Sequence, residues 1–160
     1  MMHKRTALFI IDMQEDYIGM NNKYGYDSEG LINNINKRTS YAKQNNHIII
    51  YVKNKKTLRS GLYVSDLVQG LLVESDFIIE KDRSSVFSNL EFSSLLKSYE
   101  ISHIEVVGID GNCCVASTAI DAARLGYSVE VLLKCIGIRN FKRFSKTKER
   151  LLKENIKLIE

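Results

Sequence analysis

The sequence predicts an α/β fold: a three-layer α-β-α sandwich with a five- or six-stranded parallel sheet and helices on both faces. Short apolar runs rich in Ile and Val recur along the 160 residues without strict polar alternation, as strands buried on both faces do. Longer segments of helical periodicity separate them, which makes each strand-to-strand connection a crossover. The winding is Rossmann-like, and residues 1–160 read as a single domain.

The runs are Ala7–Ile11, Ile48–Val52, Phe77–Ile79, Ile104–Val107, Val129–Leu133 and Ile156–Ile159. Leu31, Ile32, Ile35, Thr39 and Ala42 recur at helical spacing after Ser28, a capping residue type. A short helix is expected over Val64–Leu72 and another over Glu91–Ser98, with Phe92, Leu95 and Leu96 on its apolar side. A longer one runs from about Cys113 to Leu125 and stops at Gly126, a good residue to end a helix. The last covers roughly Ser145 to Lys153.

Hydrophobic residues make up 44% and charged residues 26%, which excludes a disordered or collagen-like chain. Three cysteines, two of them adjacent, imply no disulfide framework and fit a reducing, cytoplasmic setting. The apolar run ending at Ile11 is too short for a membrane span. The net charge of +4 is spread along the chain with no basic stripe interleaved with aromatics, so neither nucleic acid nor membrane is an expected partner. There is no proline, so turns rest on Gly, Asn, Asp and Ser.

Open parallel sheets bind ligands at the carboxyl ends of their strands. Those ends are expected at Asp12, Asn54, Lys81, Gly108–Cys114 and Lys134–Cys135. Asp12, Lys81 and Cys114 form a chemically coherent set if the sheet brings them together. A thiol at a helix N-terminus, beside an ammonium, is disposed to ionise, and a neighbouring carboxylate can take its proton and return it to a leaving group. The N–H groups of the Gly108–Cys114 loop can hold an oxyanion. Residue by residue, each member also has an ordinary structural reading, and periodicity does not show convergence.

The motifs Ala7-Leu8-Phe9-Ile10-Ile11-Asp12-Met13-Gln14-Glu15-Asp16-Tyr17, Lys81-Asp82-Arg83-Ser84-Ser85-Val86-Phe87 and Gly108-Ile109-Asp110-Gly111-Asn112-Cys113-Cys114-Val115-Ala116-Ser117-Thr118-Ala119 stand in order along the chain. Together they resemble the isochorismatase-like cysteine hydrolase family over about Ala7 to Val131. The resemblance implies a hydrolase of C–N bonds in small amide-type or carbamoyl-type substrates, with Asp12 as base and acid, Lys81 as electrostatic partner and Cys114 as nucleophile. Val115 directly after Cys114 selects it over Cys113, which is left as a helix-face or core residue. The resemblance further implies an oxyanion hole from the N–H groups of Asp110 and Cys114 and a cis peptide at Ile109–Asp110, necessarily a non-proline one here.

Tyr17, Asn54, Arg83 and Phe87 are the expected substrate-binding residues. Metal-binding members of the family place histidines after strand two, where this chain reads Lys53-Asn54-Lys55-Lys56. His3, His47 and His103 are scattered, so no metal and no cofactor is expected. Lys53, Lys55, Lys56 and Arg59 offer charge toward an acidic substrate. The segment between strands two and three is short for the family, so an open pocket and a homo-oligomer, dimer or larger, are expected. The competing classes are a catalytically weak member serving as an oligomeric binding module and a phospho-acceptor signalling domain. The latter is disfavoured by a single Asp12, followed by Met13, where an acidic pair is needed.

Overall fold

The computed structural model describes residues 5–160. The elements run β1 (Arg5–Ile11), α1 (Glu15–Ile18), α2 (Ser28–Gln44), β2 (Ile48–Asn54), β3 (Lys56–Leu58), β4 (Gly61–Tyr63), β5 (Ile78–Lys81), α3 (Phe92–Ser98), β6 (Ile101–Ile109), α4 (Cys114–Arg124), β7 (Ser128–Gly137), α5 (Phe141–Lys153) and β8 (Lys157–Ile159). Six strands form one parallel sheet in the order β5-β2-β1-β6-β7-β8, and β3 pairs with β4 in a separate antiparallel hairpin.

The continuous apolar runs are explained by two cores, one on each face of the sheet. Along β1, Ala7, Phe9 and Ile11 pack into one and Leu8 and Ile10 into the other, all five fully buried. The first core holds Phe92 and Leu96 of α3, Val115, Ala119 and Ala122 of α4, and Phe144 and Leu151 of α5. The second is closed by Leu31, Ile35 and Ala42 of α2. Each of the larger side chains contributes about 1.5–3 kcal/mol of burial and each alanine less, so the central strands hold the sheet even where their flanking loops are polar.

The chain turns outward in opposite directions from the β1–β6 pair: β2 and β5 lie on one side, β7 and β8 on the other. This is a topological switch point, where a crevice opens above the strand ends. The two strands approach closely there. Gly108 has φ +114°, and a Cβ at that position would collide with the Ile11 backbone.

Several local expectations change. The helix expected at Val64–Leu72 is a loop, because its polar backbone groups find partners from elsewhere in the chain. Val68 N–H donates to Met13 C=O at 2.8 Å, Leu72 N–H to Asn36 Oδ1 at 2.8 Å, and Asp66 C=O accepts from Glu15 N–H at 2.9 Å. The hairpin Lys56–Tyr63 was not foreseen. Asp27, not Ser28, caps α2, accepting from Gly30 N–H at 3.1 Å. Helix α5 begins four residues early, at Phe141, because Asn140 caps it by accepting from Arg143 N–H at 3.0 Å. β7 runs on to Gly137, past the expected end at Lys134–Cys135. Among the described residues no helix is long and apolar enough to cross a membrane.

Candidate active site

The three residues expected to react lie at the carboxyl ends of β1, β5 and β6, and the sheet brings them into contact. Lys81 ends β5 with a fully buried ammonium. Its Nζ donates to Asp12 Oδ2 at 3.2 Å, to Asn54 Oδ1 at 3.1 Å and to Cys114 Sγ at 3.4 Å. Asp12 follows β1 at φ +55° and is 5% exposed. Its second oxygen, Oδ1, is buried without a hydrogen-bond partner among the described residues. Cys114 is the first residue of α4, half-buried, with Ser84 Oγ at 3.9 Å from its sulfur.

Burial decides the protonation states. It raises the Asp12 carboxyl above its ordinary range, while Lys81 and the Cys114 thiol pull it back. It also pushes the Cys114 thiol up to about 11, and the Asp12 charge adds to this while Lys81 opposes it. The Lys81 ammonium, expected to favour a resting thiolate, is outweighed by burial and the Asp12 charge. At neutral pH the Cys114 side chain is therefore held as a thiol.

The loop between β6 and α4 is anchored from several sides. The Ile109–Asp110 peptide is cis and not a prolyl bond, as expected. Gly111 N–H donates to Gly137 C=O at 2.9 Å. Cys113 and Val115 N–H both donate to Asp110 C=O, at 3.0 and 3.2 Å. The Asp110 side chain accepts from Asn112 N–H at 2.8 Å, Arg139 N–H at 2.9 Å and Tyr26 O–H at 2.9 Å. These bonds leave the Asp110 and Cys114 N–H groups uncommitted among the described residues, and the first residue of a helix has no intrahelical acceptor.

A cavity of about 840 Å³ opens over this loop, lined by Asp12, Tyr17, Asn54, Ile109, Asp110 and Cys114, and on its far side by the β7–α5 junction. Tyr17 stands on the wall as expected, its hydroxyl accepting from Asn54 Nδ2 at 3.0 Å. Asn54 also lines the cavity, but both ends of its amide are held by Lys81 and Tyr17, so it positions the ammonium. Two expected substrate contacts are corrected. Arg83 is exposed and does not line the cavity, and Phe87 packs with Phe9, Phe92 and Tyr127 against the core. Cys113 is corrected as well. It is exposed on the cavity wall, because the N-cap position before α4 turns its side chain out of the core.

The residues missed by sequence reasoning are Tyr24, Tyr26, Arg139, Lys142 and Arg143 on the wall, and Gln14 beneath it. Gln14 is fully buried, accepts from Asn54 N–H at 2.7 Å and donates to Ser65 C=O at 3.1 Å, so it sets the end of β2. The segment Arg139-Asn140-Phe141-Lys142-Arg143 carried a readable signal: three cations in five residues after a strand's carboxyl end.

The metal site of some family members does not fit this chain. β2 ends at Asn54, and Lys55 and Lys56 follow it. The Lys56 ammonium lies 3.9 Å from Asp16 Oδ2 and 4.6 Å from the Tyr17 ring centre, and neither lysine is a ligand type for a divalent cation. His103 groups with Glu105 and Glu130 away from the cavity. There Glu105 is held in a two-bond pair by Arg38, and His103 Nε2 lies 3.5 Å from Glu130. His47 lies beside the same cluster, and His3 lies outside the described residues.

Comparison with known proteins places the chain in a family. A family profile described as the Isochorismatase domain matches residues 6–155. An uncharacterized isochorismatase family protein, YaaI of Bacillus subtilis, is 28% identical over 143 residues, 81% of this chain and 79% of that one. The ureidoacrylate amidohydrolase RutB of Serratia proteamaculans is 29% identical over 164 residues, covering 78% of this chain and 66% of the relative, just under two thirds of its length. Among solved structures, an isochorismatase family protein from Desulfovibrio vulgaris superposes with a TM-score of 0.87 at 22% identity, over 98% of this chain and 94% of that one. A profile that spans nearly the whole chain, on a parallel sheet that joins Asp12, Lys81 and Cys114, identifies this protein as a member of the isochorismatase domain family.

Proposed function

We propose that the protein is a cysteine hydrolase that cleaves a C–N bond of a small amide or carbamoyl compound through a Cys114 thioester. The observation that carries this is the buried Lys81 ammonium bridging a carboxylate and a thiol at 3.2 and 3.4 Å. The chemistry printed for a relative, an amidohydrolase acting on ureidoacrylate, belongs to the same class.

With the thiol raised to about 11, attack requires simultaneous proton removal, and Asp12 is the base in reach. Sγ of Cys114 bonds to the carbonyl carbon as its proton passes to Asp12. The carbonyl oxygen takes up negative charge beside the Asp110 and Cys114 N–H groups, where each donor of this kind is worth about 10²–10³ in rate. The C–N bond then breaks, the nitrogen leaving with the proton from Asp12. Water, giving a proton back to Asp12, adds to the thioester; the C–S bond breaks and the thiol regains that proton. The products are an acid and an amine or ammonia. Lys81 keeps the Asp12 charge compensated in the dry site and lies where it can stabilise the sulfur as it ionises.

Turnover of a panel of primary amides, ureides and N-carbamoyl compounds tests the reading. Cys114→Ala is expected to remove activity on any substrate that the native protein cleaves. A mass increase of one acyl group on Cys114 is expected when the reaction is quenched early. Full turnover by Cys114→Ala would refute the scheme.

A further inference from the structure

We propose that the outer face of α5 is a docking surface for double-stranded nucleic acid, held through its phosphate backbone by Lys142, Lys146, Arg150 and Lys153. This is independent of the reaction assigned to Cys114 and adds a macromolecular partner to it.

The charge of the chain is gathered on one helix. α5 carries Lys142, Arg143, Lys146, Lys148, Arg150 and Lys153 against the single acid Glu149. That excess is larger than the net charge of the whole chain, +4, so the remaining residues are close to neutral. The expectation of no nucleic-acid partner rested on a charge spread along the chain, and the helical period draws that charge into a row instead. All six cations are exposed, and none is in an ion pair among the described residues. Glu154, the acid just past the helix, is taken by Arg124 at 2.7 Å.

Phe144, Thr147 and Leu151 are buried, which turns Lys142, Lys146, Arg150 and Lys153 to solvent along one side of the helix. With about 1.5 Å of rise per residue, the row is about 16 Å long. One strand of a duplex carries a phosphate about every 3.4 Å along the axis, so the row spans about five of them. The fold itself does not ask for this row. Lys142 and Arg143 stand in a first turn that holds no acid, at the helix end where the macrodipole disfavours cations. Lys142 with Lys146, and Lys146 with Arg150, are like charges four residues apart, which repel along a helix. A phosphate backbone laid on the row relieves both penalties.

The same face selects among polyanions. A helix that binds a membrane lays an apolar face among the lipid chains, and the apolar face of α5, with Phe144 and Leu151, is already in the core. Its exposed apolar residues, Phe141 and Leu152, lie about 16 Å apart at opposite ends. Single strands are held by aromatic side chains that stack on their bases, and no aromatic residue stands in the row. Lysines and an arginine spaced along a backbone hold phosphates, so the binding is expected without sequence preference.

Fluorescence anisotropy of a labelled duplex of about 20 base pairs, titrated at several salt concentrations, tests this. The native protein is expected to bind with a Kd of about 100 µM or tighter at about 50 mM salt, and log Kd is expected to rise with log salt at a slope of about 3–4. The triple variant Lys146→Gln, Arg150→Gln, Lys153→Gln is expected to bind about tenfold or more weakly, with a slope of about 1. Lys146→Arg with Lys153→Arg is expected to keep both the affinity and the slope. A second triple variant, Lys23→Gln, Lys37→Gln, Lys97→Gln, removes the same charge from exposed positions elsewhere and is expected to bind within about twofold of the native protein. Thermal unfolding of each variant separates loss of the surface from loss of the fold. No duplex binding by the native protein at that salt, or an equal loss in the two triple variants, overturns the proposal. Tighter binding to a single strand of the same sequence does so too, as does binding to phosphatidylserine vesicles without binding to the duplex. Lys146, Arg150 and Lys153 do not line the cavity, so this surface and the hydrolase reading fail separately. Duplex binding with no amide turned over keeps the surface and removes the hydrolase, and Cys114-dependent turnover without duplex binding does the reverse.

Discussion

Replacing Lys81 with Met keeps most of the side-chain volume and removes the charge at the centre of the site. The ammonium is fully buried, its partner Asp12 nearly so, and they are 3.2 Å apart. Removing one member of such a pair leaves an uncompensated buried charge, at a cost of about 3–5 kcal/mol. Asp12→Asn removes the other charge and strands the ammonium at similar cost, while the double variant has no charge left to strand. Its destabilisation is expected to fall short of the sum of the single ones by about 2–3 kcal/mol. Denaturant unfolding of the four proteins at pH 7.5 measures this. The pH dependence has a definite sign. The Asp12 carboxyl is raised on folding, so its contribution to stability is fully present below the ordinary Asp value and is lost as pH rises through the folded one. Without Lys81 the carboxyl is raised further, so Lys81→Met is expected to be least destabilised in acid, with the deficit growing toward neutral pH. Additive single effects, or a deficit independent of pH, would refute the description of Asp12 and Lys81 as a buried ion pair.

Three further outcomes are expected. Asp12→Asn removes both the base and a charge that raises the Cys114 thiol, so amide turnover is expected to fall about 10²–10⁴-fold while the alkylation profile of Cys114 by iodoacetamide moves to lower pH from about 11; a profile unmoved by the substitution would show that Asp12 does not act on the thiol. Tyr26→Phe removes a 2.9 Å bond to Asp110 and is expected to cost about 1–2 kcal/mol in unfolding experiments and to lower kcat more than it raises KM; unchanged kcat with the expected loss of stability would deny Asp110 its positioning role. Gly108→Ala meets the Ile11 backbone at φ +114° and is expected to cost about 2 kcal/mol or more, read as a lower Tm; a neutral effect would mean that β1 and β6 part readily at the crevice.

What the sequence determined by itself was the part of the fold that depends on local pattern. Runs such as Ala7–Ile11 and Val129–Leu133 are apolar without alternation because both faces of their strands are buried, and that requirement is written residue by residue. The motifs around Asp12, Lys81 and Cys114 were legible through resemblance, and so were the strand ends that carry them. The tertiary structure decided what depends on partners far along the chain. Residues 64–72 have a helical pattern of apolar positions, but their backbone groups bond to Met13, Glu15 and Asn36, so the loop wins. Arg83 and Phe87 stand in the right motif but face solvent and core, because orientation after a strand end is set by packing and not by spacing. The protonation state of Cys114 is the sharpest case. Helix position and a nearby lysine point to a thiolate, whereas burial and the Asp12 charge raise the thiol to about 11. Desolvation depends on everything that surrounds an atom, and only the assembled sheet supplies those surroundings.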